Sequence, residues 1–321
     1  MLQQTIYFVI GLAGLVYGAD WLVSGSANIA RAAGISQLVI GLTLVAIGTS
    51  TPELAVSVLA ALQGKTDVAI GNVVGSNIAN LGLILGATAV VRAVPVMRST
   101  VMKDVPVMIA AAIAVVFLAW DASIGRADGL LLLAGCAAYL LLLLRAELKS
   151  PAAASEEIEV FDPADERTAP SFRRDVSHIA IGLVALVVGA RLLVGAATFY
   201  AQILGVSDLV IGLTVVAIGT SLPELATSVT AALRGHSDLA LGNVIGSNIL
   251  NILLILGITA LIHPLPAHPS MLSFELPVMI GISVLLLPLA WRQRRVTRAE
   301  GVLLIVFYIA FLIELFRKGT V

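Results

Sequence analysis

The sequence predicts an all-α polytopic membrane protein: ten transmembrane helices in two inverted five-helix repeats, with helices 2 and 7 broken at Gly-Thr-Ser-x-Pro-Glu motifs. Three observations carry this expectation. The 321-residue chain is 59% hydrophobic and only 12% charged, with a mean hydropathy of +1.02. Soluble domains carry about 25% charged residues, so this chain has too few ionic side chains to cover its apolar surface in water. The segments Gly41–Gly86 and Gly212–Gly257 align at a constant offset of 171, with 33 of 46 positions identical. Finally, apolar windows of about 20 residues, the length that crosses a bilayer as a helix, recur along the whole chain.

The first half, 1–146, holds windows at roughly 5–30, 37–62, 68–91, 104–120 and 127–146. The second half, 176–321, holds 176–203, 208–233, 239–262, 274–291 and 299–316. The N-terminal window has no basic leader and no small-x-small cleavage site, so it reads as a first span and not a signal peptide. Between the halves, 147–175 is a polar linker with SEEIEVFDPADER inside it. That acidic run reads as solvated chain in preference to a regulatory cation site.

Repetition extends past the central motifs at the same offset. Ile10–Gly25 answers Ile181–Ala196, Val94-Pro95 answers Leu265-Pro266, Asp104-Val-Pro-Val-Met answers Glu275-Leu-Pro-Val-Met, and Trp120 answers Trp291. Five spans per half is an odd number, so the second half enters from the opposite side, the inverted arrangement frequent in secondary transporters. Cytoplasmic loops concentrate Lys and Arg. With the N-terminus outside, the inner side holds 14 basic residues and the outer side four, Lys65, Arg126, Arg317 and Lys318. The expectation is therefore a multi-pass protein of the cell (inner) membrane, both termini outside and the 147–175 loop cytoplasmic. The remaining basic residue, Arg191, lies inside helix 6 at the position answering Asp20 in helix 1. Either the two form an ion pair or each reaches its own aqueous vestibule.

Each repeat places one carboxylate in an apolar segment, Glu53 and Glu224. A charge at the bilayer centre costs about 2.5–3.5 kcal/mol on insertion scales, which marks such residues as functional. In Ala46–Glu53, AIGTSTPE, Pro52 lacks an amide hydrogen and opens the helix. Carbonyls around Ala46–Gly48 are expected to lose their donors there, and such backbone survives in a membrane only when buried or lining a cavity. Thr49 and Ser50 add hydroxyls, and Glu53 adds a carboxylate one turn on. Ala217–Glu224 repeats the pattern with Thr220, Ser221 and Pro223.

In GNVVGSNIAN, Gly71–Asn80, residues Asn72, Ser76 and Asn80 form one helical stripe; Asn243, Ser247 and Asn251 form its counterpart. Ser76, Asn80, Ser247 and Asn251 are read as ligands, because the broken helix should pack against that face. Asn72 and Asn243 are read as structural. The GxxxG glycines, Gly71 with Gly75 and Gly242 with Gly246, are read as helix-packing positions.

These donors are all oxygens, with no His or Cys among them. Oxygen sets suit hard cations, and calcium takes six to eight oxygens in flexible geometry, while zinc and copper favour imidazole or thiolate. Two carboxylates balance one calcium and also hold sodium. Ions competing for the same ligands make an exchanger. No resident cofactor, nucleic acid or obligatory protein partner is implied; the partners are Ca2+, Na+ and the lipid bilayer. Cys136, the one cysteine, reads as a packing residue, and the four histidines near predicted helix ends read as interfacial.

At these motifs the sequence resembles the cation/calcium antiporter superfamily, specifically its prokaryotic sodium/calcium exchangers, over all ten windows. The resemblance implies ligation by Glu53, Glu224, Thr49, Ser50, Ser76, Asn80, Thr220, Ser221, Ser247 and Asn251, with the carbonyls of Ala46 and Ala217. It also implies that helices 1 and 6 slide as a mobile pair across the remaining core, with their glycines as a smooth sliding face. Some members, including potassium-dependent ones, carry Asp where Asn251 stands, which argues against potassium co-transport. The large regulatory loop of animal exchangers is absent. The nearest rival is a proton/calcium antiporter on the same fold, whose sequences resemble Gly-Asn-x-x-Glu at the first glutamate. A membrane-embedded hydrolase would need HExxH or a paired Ser and His within the spans, and neither occurs, so the chain is not read as an enzyme.

Overall fold

A computed structural model describes residues 1–149, 171–204, 217–268 and 271–319. The described elements are α1 (Leu2–Ala33), α2 (Gln37–Thr49), α3 (Thr51–Leu62), α4 (Thr66–Val91), α5 (Thr100–Leu118) and α6 (Arg126–Lys149). They continue with α7 (Phe172–Ile203), α8 (Ala217–Thr220), α9 (Leu222–Leu233), α10 (Ser237–Ile262), α11 (Met271–Arg292) and α12 (Arg298–Gly319). Among the described residues, eight helices are long and apolar enough to cross a membrane, and the α2–α3 pair, bent by 45°, makes a ninth candidate. The expected window 208–233 begins on residues outside those described, and most of the 147–175 linker also lies outside them.

Two-residue strands, absent from the sequence reading, form two antiparallel ribbons: Val94–Pro95 with Arg295–Val296, and Ser123–Ile124 with Leu265–Pro266. The proline of each Val-Pro or Leu-Pro pair has no amide to donate, which confines it to such edges.

Both motif helices break where proline requires it. Ser50, between α2 and α3, leaves helical geometry at φ −80°, ψ 6°, and Ser221, between α8 and α9, does the same at φ −89°, ψ 7°. One expectation fails here. The Ala46 carbonyl keeps its intrahelical donor, the Ser50 N–H at 3.0 Å. The physical reason is register: Pro52 withholds a hydrogen bond from the residue four before it, Gly48, and not from Ala46. Each broken span ends alike, on left-handed Gly64 (φ 71°) and Gly235 (φ 86°), repeat equivalents that cap α3 and α9 without a Cβ penalty.

The chain forms two compact units, each drawing on both repeats: 1–52 with 142–243, and 53–141 with 244–321. In the first, α1 lies against α7 at backbone contact. A Cβ on Gly182 would stand 2.7 Å from the Gly18 carbonyl oxygen, and one on Gly189 would stand 2.8 Å from that of Gly11. These glycines were expected to form a sliding face toward the rest of the protein. Instead, Gly11, Gly14, Gly18, Gly182 and Gly189 form the seam between the two helices themselves, because only glycine lets two backbones approach so closely. Leu15, Ala19, Leu22, Val23 and Leu186 fill the space beside that seam. At its end, buried Asp175 accepts the Ser171 N–H (3.0 Å) and the Asn28 amide (2.9 Å), fastening the start of α7 to α1.

The second unit uses the same device twice. Gly86 meets Gly301 and Ile305 where α4 crosses α12, and Gly129 of α6 meets Gly257 of α10. The GxxxG expectation divides: Gly242 packs against Leu38 and Gly41 in the first unit, while nothing among the described residues comes within 4 Å of a Cβ on Gly71 or Gly75.

Asp20 has an ion-pair partner, but the partner is Arg234, not Arg191. Helix α9 ends beside α1, and Arg234 at that end also donates to Ser24 Oγ at 2.9 Å. Arg191 is on an exposed face of α7. Both partners in the pair are about one-third exposed, so solvent screens the interaction. A double-mutant cycle with Asp20→Asn and Arg234→Gln is expected to give a coupling of about 0–1 kcal/mol in thermal stability. Asp20→Asn with Arg191→Gln should be additive.

Candidate cation-binding residues

The first unit assembles one set of oxygens around Glu224. Glu224 is buried at the start of α9, one residue past Pro223. Ser50 Oγ donates to its Oε1 at 3.1 Å, while Oε2 is buried with no hydrogen-bond partner among the described residues. A buried carboxylate with one oxygen left unpaired is costly, and a cation or a proton would offset that cost. Thr49, also fully buried, reaches Asn243 Oδ1 at 3.1 Å and the Val45 carbonyl at 3.1 Å. Asn243 in turn donates its Nδ2–H to Ser228 Oγ at 3.0 Å and to the Glu224 carbonyl at 3.5 Å.

That backbone carbonyl can only accept, so it fixes which end of the Asn243 amide faces where. The oxygen is turned to Thr49, whose hydroxyl donates there or to the Val45 carbonyl. Asn243 thus braces Thr49, Ser228 and the Glu224 backbone. Ser221 is buried and Thr220 is half-buried in the same stretch. Ala217 opens α8, directly after residues 205–216, which lie outside those described.

The second unit holds the other set. Glu53 is buried on α3, and its backbone carbonyl accepts the Asn72 amide at 3.2 Å; the same amide donates to Ser57 Oγ at 3.0 Å. Asn72–Ser57–Glu53 therefore reproduces Asn243–Ser228–Glu224 at the offset of 171. Ser76 and Ser247 are buried, as are Asn80 and Asn251. Ser247 Oγ, Asn80 Oδ1 and both polar atoms of the Asn251 amide have no hydrogen-bond partner among the described residues. Buried polar groups are paired in the great majority of cases, so these unpaired atoms are the ones that a bound group could complete. A hard cation fits that donor set.

Two of the five π-helical turns among the described residues begin at these asparagines. Asn80 and Asn251 each begin a π-helical turn, Asn80–Ile84 and Asn251–Leu256. Such wide turns concentrate at functional positions, because they re-aim side chains within an otherwise regular helix.

Sequence reasoning passed over four residues. Ser57 and Ser228 brace the motif asparagines, Asn248 accepts from the Asn80 amide, and the Asn77 backbone carbonyl accepts from Asn248. The signal was present: all four are polar residues at equivalent repeat positions inside apolar helices. They were missed because the helical stripe drawn through Asn72, Ser76 and Asn80 excludes them.

The family described as "Sodium/calcium exchanger protein" matches residues 3–145 and 176–317. The chain is 38% identical to the sodium/calcium exchanger MaX1 of Methanosarcina acetivorans, covering 97% of this chain and 99% of that protein. It is 37% identical to the inner membrane protein YrbG of Escherichia coli K12, covering 98% of each. Among solved structures, the sodium-calcium exchanger NCX_Mj soaked with 2.5 mM Na+ and 0.1 mM Ca2+ superposes with a TM-score of 0.83 at 35% identity, covering 97% of each chain.

Proposed function

Because the chain belongs to the sodium/calcium exchanger family, a family of membrane transporters, we propose that it is a secondary active antiporter exchanging sodium for calcium across the cell membrane. The observation that carries this reading is the pair of buried glutamates at equivalent repeat positions, each one residue past the proline of a broken helix. Two carboxylates neutralise one calcium, and sodium ions taking the same oxygens would expel it. Competition of this kind couples the two gradients without any chemical step. Glu53, Glu224, Thr49, Ser50, Thr220, Ser221, Ser76, Asn80, Ser247 and Asn251 act as ligands, with the carbonyls of Ala46 and Ala217 adding oxygens. A carbonyl has two lone pairs, so the hydrogen bond from Ser50 leaves Ala46 one to offer.

The architecture that accompanies this reading is ten helices in two inverted repeats, 1–146 and 176–321. The ribbons support it: shifting Val94–Pro95 and Ser123–Ile124 by 171 gives Leu265–Pro266 and 294–295, one residue short of the observed Arg295–Val296, so each ribbon maps onto the other to within one residue. Exchange of that kind is what a two-fold relation between repeats requires. The 14-to-four distribution of basic residues supports outward termini and a cytoplasmic 147–175 loop.

Calcium uptake into proteoliposomes preloaded with sodium tests the cargo, with choline-loaded and proton-gradient controls. Uptake is expected only with internal sodium. Uptake driven by a proton gradient alone would make the protein a proton/calcium antiporter, and no uptake under either gradient would remove calcium as the cargo.

A further inference from the structure

Asn80 donates its Nδ2–H to Asn248 Oδ1 at 2.9 Å. Asn248 donates its own Nδ2–H to the backbone carbonyl of Asn77 at 3.3 Å and reaches Met108 Sδ at 3.5 Å. All of these groups belong to the second compact unit. The polarity of this relay is not arbitrary. The Asn77 carbonyl can only accept, so Asn248 must turn its nitrogen to it and its oxygen to Asn80. Asn80 must then present its nitrogen to Asn248. Flipping Asn80 alone would set two amide oxygens face to face, and flipping both amides would set the Asn248 oxygen against the Asn77 carbonyl. The one orientation left places Asn80 Oδ1 at the end of the relay, buried and without a donor.

The repeat equivalent behaves differently. Asn77 Nδ2 points to Met279 Sδ at 3.7 Å, and among the described residues its Oδ1 has no donor and neither end of the Asn251 amide is engaged. One candidate ligand amide is thus set in advance and the other is not.

We infer that Asn248 is a positioning residue that locks the Asn80 amide with its carbonyl oxygen, not its nitrogen, available to the transported cation. The inference rests on the reading of Asn80 as a ligand. An amide nitrogen facing a cation repels it, so an unlocked Asn80 must select one of two orientations as the ion binds, and that selection weakens binding.

The test is a double-mutant cycle on apparent KM, measured for both calcium and sodium in proteoliposomes with Asn80→Ala, Asn248→Leu and the double variant. Asn80→Ala is expected to raise KM for at least one ion. Asn248→Leu should raise KM for the same ion by about twofold, because two equally populated orientations halve the binding-competent fraction, with kcat unchanged. The double variant should match Asn80→Ala alone, because an orienting residue has nothing left to orient. Multiplying effects, a shift in a different ion, or an unchanged KM in Asn248→Leu would overturn the inference. If Asn80→Ala changes neither KM, the ligand reading itself fails and the inference falls with it, a result distinguishable from the others. Should Asn248→Leu not yield a monodisperse carrier, Asn248→Ala enters the same cycle with the same expectations.

Discussion

Glu53→Gln and Glu224→Gln are each expected to reduce sodium-driven calcium uptake at least a hundredfold, with both purified variants remaining folded. The size of the loss follows from charge. Glutamine keeps the shape and one carbonyl oxygen of glutamate but withdraws a full negative charge from a buried position. One carboxylate then faces a divalent ion where water cannot screen the imbalance; a hundredfold loss needs only about 2.7 kcal/mol, a small fraction of a charge–charge interaction at low dielectric. The retained fold follows from the same physics with opposite sign. A buried carboxylate is costly to desolvate, and its removal relieves that cost. Ser50, which donates to Glu224 Oε1 at 3.1 Å, still finds an acceptor in the amide oxygen of the glutamine side chain that replaces it. Thermal unfolding in detergent should therefore be unchanged or slightly raised without calcium, and calcium should no longer raise it. Uptake above about one-tenth of the unmodified carrier in either variant would remove that carboxylate from the ligand set.

Much of this arrangement was legible in the sequence, and the parts that were not share a cause. The eight described spans and the two breaks could be read because they depend on local chemistry: apolar length in one case, the missing amide of Pro52 and Pro223 in the other. The buried glutamates were legible because charge in an apolar segment has no bland explanation. Of the two alternatives for Asp20 and Arg191, the ion pair fails because repeat equivalence says which residues correspond, not which ones touch; Asp20 pairs with Arg234, which stands where α9 ends beside α1. The π-helical turns at Asn80 and Asn251 left no mark, since one extra residue in a turn alters no local preference. The Asn248 relay depends on a backbone carbonyl 171 positions away in sequence, at Asn77. The glycines of α1 and α7 were seen as glycine-rich, but a glycine pattern does not name the surface it fits.

That surface makes the second large prediction. Gly182→Ala and Gly189→Ala are each expected to lower the unfolding temperature by about 5 °C, and the pair together to prevent recovery of a monodisperse carrier. Added methyls would meet backbone, not movable side chains: the Gly18 carbonyl and the Leu22 amide nitrogen at 2.7 and 2.8 Å for Gly182, the Gly11 carbonyl and the Leu15 amide nitrogen at 2.8 and 2.9 Å for Gly189. Overpacking of this kind costs roughly 1–3 kcal/mol per site, and each kcal/mol is worth a few degrees in a chain of this size. Gly195→Ala on the same helix supplies the contrast, since nothing among the described residues comes within 4 Å of its added carbon. There alanine gains the ordinary helix preference over glycine, about 1 kcal/mol, and stability should rise. The contrast also bears on movement. If α1 and α7 travel as one body during exchange, their glycine seam is what makes them one body. A single seam variant would then lower the turnover rate while leaving the calcium KM within about twofold, because Glu53 and Glu224 lie on neither helix. Equal losses of rate and affinity, or a Gly195→Ala variant as impaired as Gly182→Ala, would show that the seam does not join the two helices in transport.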